Sequence, residues 1–299
     1  MITRRDLLMT PAALVAGSAV AMATPRMSLA LHQNTSSRAG YRASLAGWAA
    51  AGITEVEITN SLLDEFLKGD TLEGARRVLS DLGLRPVSGA CGVTGLLDPG
   101  EGRSAAVEAF KRRCAQWQAL GIPRIYATTA SAIKPVADDY KRAADAAREV
   151  ALIARDAGLT MLFEFVRNST FVSTLPTLLT ITRAAAQPNL GPLFDCYHFW
   201  SGLNKLSDLD DVRPGEIKHV HFQDVPAMPR ELLDLTTREI PGDGISPLVT
   251  ILRRLRTIGY AGALSVELFL PRFTQGDPRA VAQEIQTKAV RVMRQAGVA

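Results

Sequence analysis

Eight short apolar runs, separated for the most part by longer segments of helical periodicity, constrain this chain more than any other feature. The runs fall at 27–32, 54–58, 86–91, 124–128, 160–166, 191–195, 217–223 and 263–268. Helical patterns fall at 45–51, 72–82, 104–120, 136–157, 175–186, 247–258 and 279–295. Many of them stop at a glycine, as at Gly83, Gly121, Gly158 and Gly259, which ends a helix in left-handed backbone without the cost a Cβ would add. Strands joined through helices run parallel, because each helix carries the chain back to the edge it started from. A count of eight predicts a single closed (β/α)8 TIM barrel rather than an open sheet. The open alternative requires a glycine-rich phosphate loop after an early strand, and no such loop stands at a strand end.

A length of 299 residues suits one such barrel, once the first 23 are set apart. Residues 1–23 carry Arg4-Arg5, an apolar run over 12–23 and a small-x-small ending, Ala21-Met22-Ala23. The stretch Thr3-Arg4-Arg5-Asp6-Leu7-Leu8 resembles a twin-arginine export signal. The apolar run is shorter than the ~20 residues that span a bilayer, so no stable membrane anchor is expected. The expected organisation is a signal peptide over 1–23 and a barrel over 24–299, with the twin-arginine machinery as partner and a periplasmic or otherwise exported location. Cys91, Cys114 and Cys196 form no C-x-x-C and leave an odd count, which argues against a disulfide framework. The formal net charge is +4, and its basic residues are scattered among acids with no basic and aromatic stripe, so no nucleic-acid partner is expected.

In a barrel of this kind chemistry sits at the C-terminal ends of the strands. The fifth run ends Leu162-Phe163-Glu164-Phe165-Val166, the sixth Leu193-Phe194-Asp195, the seventh contains His219-Val220-His221-Phe222-Gln223-Asp224, and the eighth Ser265-Val266-Glu267-Leu268. An ionised carboxylate inside an apolar strand is costly unless it is paired or binds a cation. Four consecutive strands that each offer a ligand type at the same level predict a metal site made of Glu164, Asp195, His221 and Glu267. Three carboxylates and one imidazole form a hard, oxygen-rich set, suited to Mn²⁺ first, with Mg²⁺, Co²⁺ or Zn²⁺ as alternatives.

From the first strand to the last helix the sequence resembles the xylose-isomerase-like TIM barrels, most closely the sugar isomerase/epimerase branch. Phe194-Asp195-Cys196-Tyr197-His198, His219-Val220-His221-Phe222-Gln223-Asp224, Ile240-Pro241-Gly242-Asp243-Gly244 and Ser265-Val266-Glu267-Leu268 carry the likeness. The resemblance implies that Glu164, Asp195, His221 and Glu267 hold the metal. It also implies that Glu164 and Glu267 face each other across the substrate and exchange protons with it, and that His198 contacts substrate oxygens. Ketose 3-epimerases of the family commonly carry an arginine soon after the seventh-strand histidine, where this chain has Val225-Pro226-Ala227-Met228-Pro229.

Further residues reach the same end of the barrel. His32, Glu57, Trp200 and Arg230 are candidates for substrate contact, while Arg238, like Arg230, reads in the first place as a solvated loop arginine. Asp224 is expected to orient the imidazole or the loop, and His219 to pack behind His221. The expected function is a divalent-metal-dependent isomerase or epimerase of an unphosphorylated sugar or keto-sugar, working through an enediolate. A lyase using the same metal and base is the alternative, such as an inosose dehydratase or a 3-keto-glycoside eliminase. A non-catalytic sugar-binding barrel is the third reading. A carbohydrate is the expected partner, and an oligomer is possible.

Overall fold

The computed structural model describes residues 26–100 and 102–299; the expected signal segment, 1–23, lies outside them. Eight parallel strands close into one barrel: β1 (Ser28–His32), β2 (Glu55–Ile58), β3 (Arg85–Ala90), β4 (Arg124–Thr128), β5 (Thr160–Glu164), β6 (Leu190–Asp195), β7 (His219–His221) and β8 (Ala263–Val266). Pairing of β8 with β1 completes the ring, so no strand edge is left open. The surrounding helices are α1 (Gly40–Ala50), α2 (Asn60–Phe66), α3 (Leu72–Asp81), α4 (Arg103–Ala119), α5 (Ala137–Asp156), α6 (Leu175–Ala185), α7 (Cys196–Ser201), α8 (Leu248–Thr257), α9 (Pro271–Thr274) and α10 (Pro278–Ala296). No described helix is long and apolar enough to cross a membrane.

The period-two geometry of a strand decides what each side chain meets. Phe163 and Phe165 flank Glu164, Val220 and Phe222 flank His221, and Val266 and Leu268 flank Glu267. All six flanking residues join the main apolar core between strands and helices. The intervening acids and imidazoles are thereby turned into the barrel. Apolar groups pack the rest of the interior, with Ala90, Tyr126, Leu162 and Leu193 in one cluster and Ala30, Val87 and Ala263 in another. The interior is thus a filled core whose upper layer is polar.

The expected strands are all present, with ends displaced by a few residues. The seventh shrinks most, from 217–223 to His219–His221, because beyond His221 the backbone leaves the ladder and Asp224 pairs with Glu239 of a returning loop. Helices α2, α7 and α9 have no counterpart in the sequence reading. Each spans two turns or fewer, too short to show a helical period.

Candidate metal centre and active-site cavity

The C-terminal ends of β5 to β8 bring Glu164, Asp195, His221 and Glu267 together, with one ligand atom of each within 4.8 Å of the others. His221 lies at the middle of the group. Its Nδ1 is 2.9 Å from Glu164 Oε1 and 3.5 Å from both Asp195 Oδ2 and Glu267 Oε2. All four residues are buried. Burial, reinforced by the Asp195 and Glu267 charges, pushes the Glu164 carboxyl up to about 8 despite the opposing pull of His221. Burial also opposes ionisation of Asp195, but Arg238 and the nearby imidazoles outweigh it and hold that carboxyl well below its usual range. Asp195 divides its two oxygens: Oδ1 accepts the His198 backbone N–H at 2.6 Å as the N-cap of α7, and Oδ2 faces the cluster. Three converging buried carboxylates beside one imidazole fit a divalent cation in number, charge and hardness.

The opposite edge of His221 corrects two expectations. Glu57, expected to contact substrate, is fully buried beneath the cluster. Its Oε2 is 3.2 Å from His221 Nε2 and 3.0 Å from His219 Nε2. These two imidazoles offset the cost of burial and hold the Glu57 carboxyl well below its usual range. His219, turned inward two residues before His221, therefore stands behind the cluster as expected. His32 is also fully buried, with Nε2 2.9 Å from the Tyr126 hydroxyl and Nδ1 3.6 Å from Glu267 Oε1. Both residues pack against the cluster, and neither forms part of the cavity wall.

Arg238 overturns the reading of a solvated loop arginine, since it is only 2% exposed. Its guanidinium pairs with Glu267, lies 3.3 Å from Asp195 Oδ2, and donates to His198 Nε2 at 3.0 Å. Burial lowers His198 to about 4, against the pull of Asp195, so its imidazole is neutral and can accept this bond. Arg238 gets there because the segment after β7 folds back as a strap, fastened by Asp224. One Asp224 oxygen accepts from the backbone N–H of Val225 and Ser246, both at 2.9 Å. The other accepts from Gly242 at 3.0 Å and Gly244 at 3.1 Å. Gly242 sits at φ +95°, backbone that an L side chain rarely adopts. Asp224 thus organises the loop, the second of the roles expected of it.

Arg230 and Trp200, two further candidates for substrate contact, serve the strap as well. Arg230 donates to the carbonyl of Gly202 at 2.6 Å and, at 3.4 Å, to that of Trp200, whose ring packs against the cluster of Tyr197, Val225 and Leu233. Neither lines the cavity. Arg167, missed in the sequence, grips the strap from β5's loop through the carbonyls of Leu233 and Arg230.

Above the cluster opens a cavity of about 380 Å³, with Glu164, Glu267, His198 and Arg238 in its wall. Asn34, also in the wall, donates to Glu267 Oε1 at 2.9 Å and accepts from the Thr59 hydroxyl at 3.1 Å. The cavity lies where a barrel of this kind places its chemistry.

With barrel, cluster and cavity in place, the class is defined: residues 45–294 match the family described as xylose isomerase-like TIM barrel, and the chain belongs to that family. Among particular relatives, an inosose isomerase of Halalkalibacterium halodurans is 28% identical over 75% of this chain and 81% of its own length. A 3-dehydroshikimate dehydratase of Pseudomonas aeruginosa is 30% identical over 47% of this chain and 24% of its own length. The IolI protein, solved with a bound zinc atom, superposes with a TM-score of 0.84 at 23% identity, covering 90% of this chain and 99% of that one, a likeness of fold.

Proposed function

We propose that this protein is a divalent-metal-dependent isomerase or epimerase of an unphosphorylated keto-sugar or inosose. The observation that carries this reading is the placement of Glu164 and Glu267 in one cavity wall, on either side of His221. Moving a proton at a carbon next to a carbonyl needs one group to take it and one to return it, and the two glutamates supply both. In this reading Asp195 and His221 would hold the ion with Glu164 and Glu267. A divalent ion held there, Mn²⁺ by preference for so oxygen-rich a set, would supply Lewis acidity toward the substrate carbonyl and compensate the negative charge formed when the proton leaves. His198 and Arg238 orient substrate oxygens, with Arg238 taking the place of the arginine that ketose 3-epimerases carry nearer the seventh-strand histidine.

Two features favour a substrate without phosphate. Among the described residues Arg238 is the one lysine or arginine in the cavity wall, and it already pairs with two carboxylates. The signal read in residues 1–23 points the same way, since phosphorylated sugars are rare outside the cytoplasm. Replacing Arg4-Arg5 by Lys-Lys is expected to retain the protein in the cytoplasm, and unchanged export would remove that second support.

The likeness to a dehydratase favours a lyase as the second reading, because an enediolate also expels a β-leaving group. Incubation of the Mn²⁺-reconstituted protein with inososes and keto-sugars separates the two. An isobaric product supports isomerisation, and a new enone absorbance supports elimination. Binding without turnover of any of them leaves the non-catalytic barrel.

A further inference from the structure

The wall of the cavity has two unlike halves. Its ionisable side chains come from one side of the ring: Glu164 ends β5, His198 follows β6, Arg238 follows β7 and Glu267 follows β8. In the closed order β1 to β8, strands β3 and β4 stand across the barrel from β7 and β8. What they contribute to the wall carries no charge. Ala90, Cys91 and Val93 come from the end of β3, and Tyr126 and Ala130 from β4 and its loop. Burial pushes the Cys91 thiol up to about 12, so it is neutral. The Tyr126 hydroxyl is engaged with His32, which leaves its ring as the part available to the cavity.

Val166, Phe269 and Leu235 add apolar surface on the other side of the wall, after β5, β8 and β7. Leu235 is 47% exposed, an apolar side chain on the rim of a polar site. Phe269 lies under the Arg238 guanidinium, 5.1 Å from ring centroid to its carbon, on the charged side of the wall. The polar side chains on the uncharged side, such as Thr94 and Thr128, are hydroxyls that accept or donate single hydrogen bonds. A volume of about 380 Å³ falls in the range of pockets that take ligands larger than one sugar ring. A free sugar bears hydroxyls around its whole edge. Seated over the carboxylates, it would turn some of them against Val93, Ala130 and the Tyr126 ring, where they lose water without gaining partners.

We infer that the β3–β4 half of the cavity is an aglycone subsite, and that the substrate is a keto-glycoside whose sugar ring lies over the carboxylates and whose uncharged, apolar aglycone lies against Val93, Ala130 and the Tyr126 ring. The inference rests on the keto-sugar reading of the site and deepens it. It assigns selectivity to residues that take no part in proton transfer.

The test compares three compounds on the Mn²⁺-loaded protein: 3-keto-glucose, its methyl β-glycoside and its phenyl β-glycoside. The phenyl glycoside is expected to exceed the methyl glycoside in kcat/KM by about tenfold or more, mainly through KM, as a buried apolar group does. Ala130→Asn and Val93→Thr are expected to shrink that ratio at least threefold, with the kcat of free 3-keto-glucose held within about twofold. Ala130 is exposed, so its variant keeps the test sound if Val93→Thr fails to fold. Equal kcat/KM for phenyl and methyl glycosides, with free 3-keto-glucose turned over, overturns the aglycone subsite and leaves the keto-sugar reading intact. A phenyl preference unaltered in both variants overturns the placement of the subsite. Failure of all three compounds while an inosose or another keto-sugar is turned over overturns the subsite and leaves the keto-sugar reading intact, and failure of every keto-sugar and inosose overturns both.

Discussion

His221 is held from two sides, and that double grip sets its chemistry. Nδ1 faces Glu164, Asp195 and Glu267, while Nε2 meets the buried Glu57 carboxylate at 3.2 Å. If Nε2 donates to Glu57, Nδ1 would be left to ligate the proposed ion, an arrangement that would fix both tautomer and ring orientation. Glu57→Gln is therefore expected to weaken divalent-metal binding about 10- to 100-fold in a calorimetric titration. Affinity unchanged in the folded variant would show that Glu57 only fills space. At this scale the four clustered residues were legible because each is polar within an apolar strand. Glu57 was legible as a residue type and misread in role, since sequence does not reveal how deep in the barrel a side chain ends. Arg238 was misread because its position depends on a fold-back of the loop between Asp224 and Gly244, and nothing in a loop arginine's neighbours signals burial.

The strap after β7 is the element that completes the site, and Asp224 is its clasp. Its carboxylate receives four backbone N–H groups, from Val225, Gly242, Gly244 and Ser246. Asp224→Ala leaves those donors without their acceptor, and urea unfolding is expected to show a loss of about 2–4 kcal/mol. Asp224→Asn, which keeps one carbonyl acceptor, is expected to lose less. Equal stability of Asp224→Ala and the parent protein would contradict the clasp. The strands and long helices were legible because period and glycine stops repeat along the chain. The strap was not, because its order comes from side chains binding distant backbone: Arg167 and Arg230 grip carbonyls, and Tyr197 Oη meets the Asp234 carbonyl at 2.6 Å.

Across the whole molecule the four clustered residues tie β5, β6, β7 and β8 together at one level of a closed barrel. A cation shared by four strands and absent from the unfolded chain adds to global stability by mass action. At 100 times its dissociation constant the gain is about 2.7 kcal/mol. Mn²⁺ is therefore expected to raise the Tm of the chelator-treated protein by roughly 5–10 °C, reversibly with chelator. A Tm indifferent to divalent ions would argue against the centre. The barrel itself was legible from the count of runs, whereas its inner division into a charged half and an uncharged half appears only when the strand order closes.

The central claim is proton transfer by Glu164 and Glu267 at a carbon next to a carbonyl. The most direct measurement is turnover of a keto-sugar substrate by the Mn²⁺-loaded protein in D₂O, followed by NMR of the product. The account predicts solvent deuterium at the carbon adjacent to the carbonyl. Product that keeps its original hydrogen at that carbon, with none supplied by solvent, would contradict it.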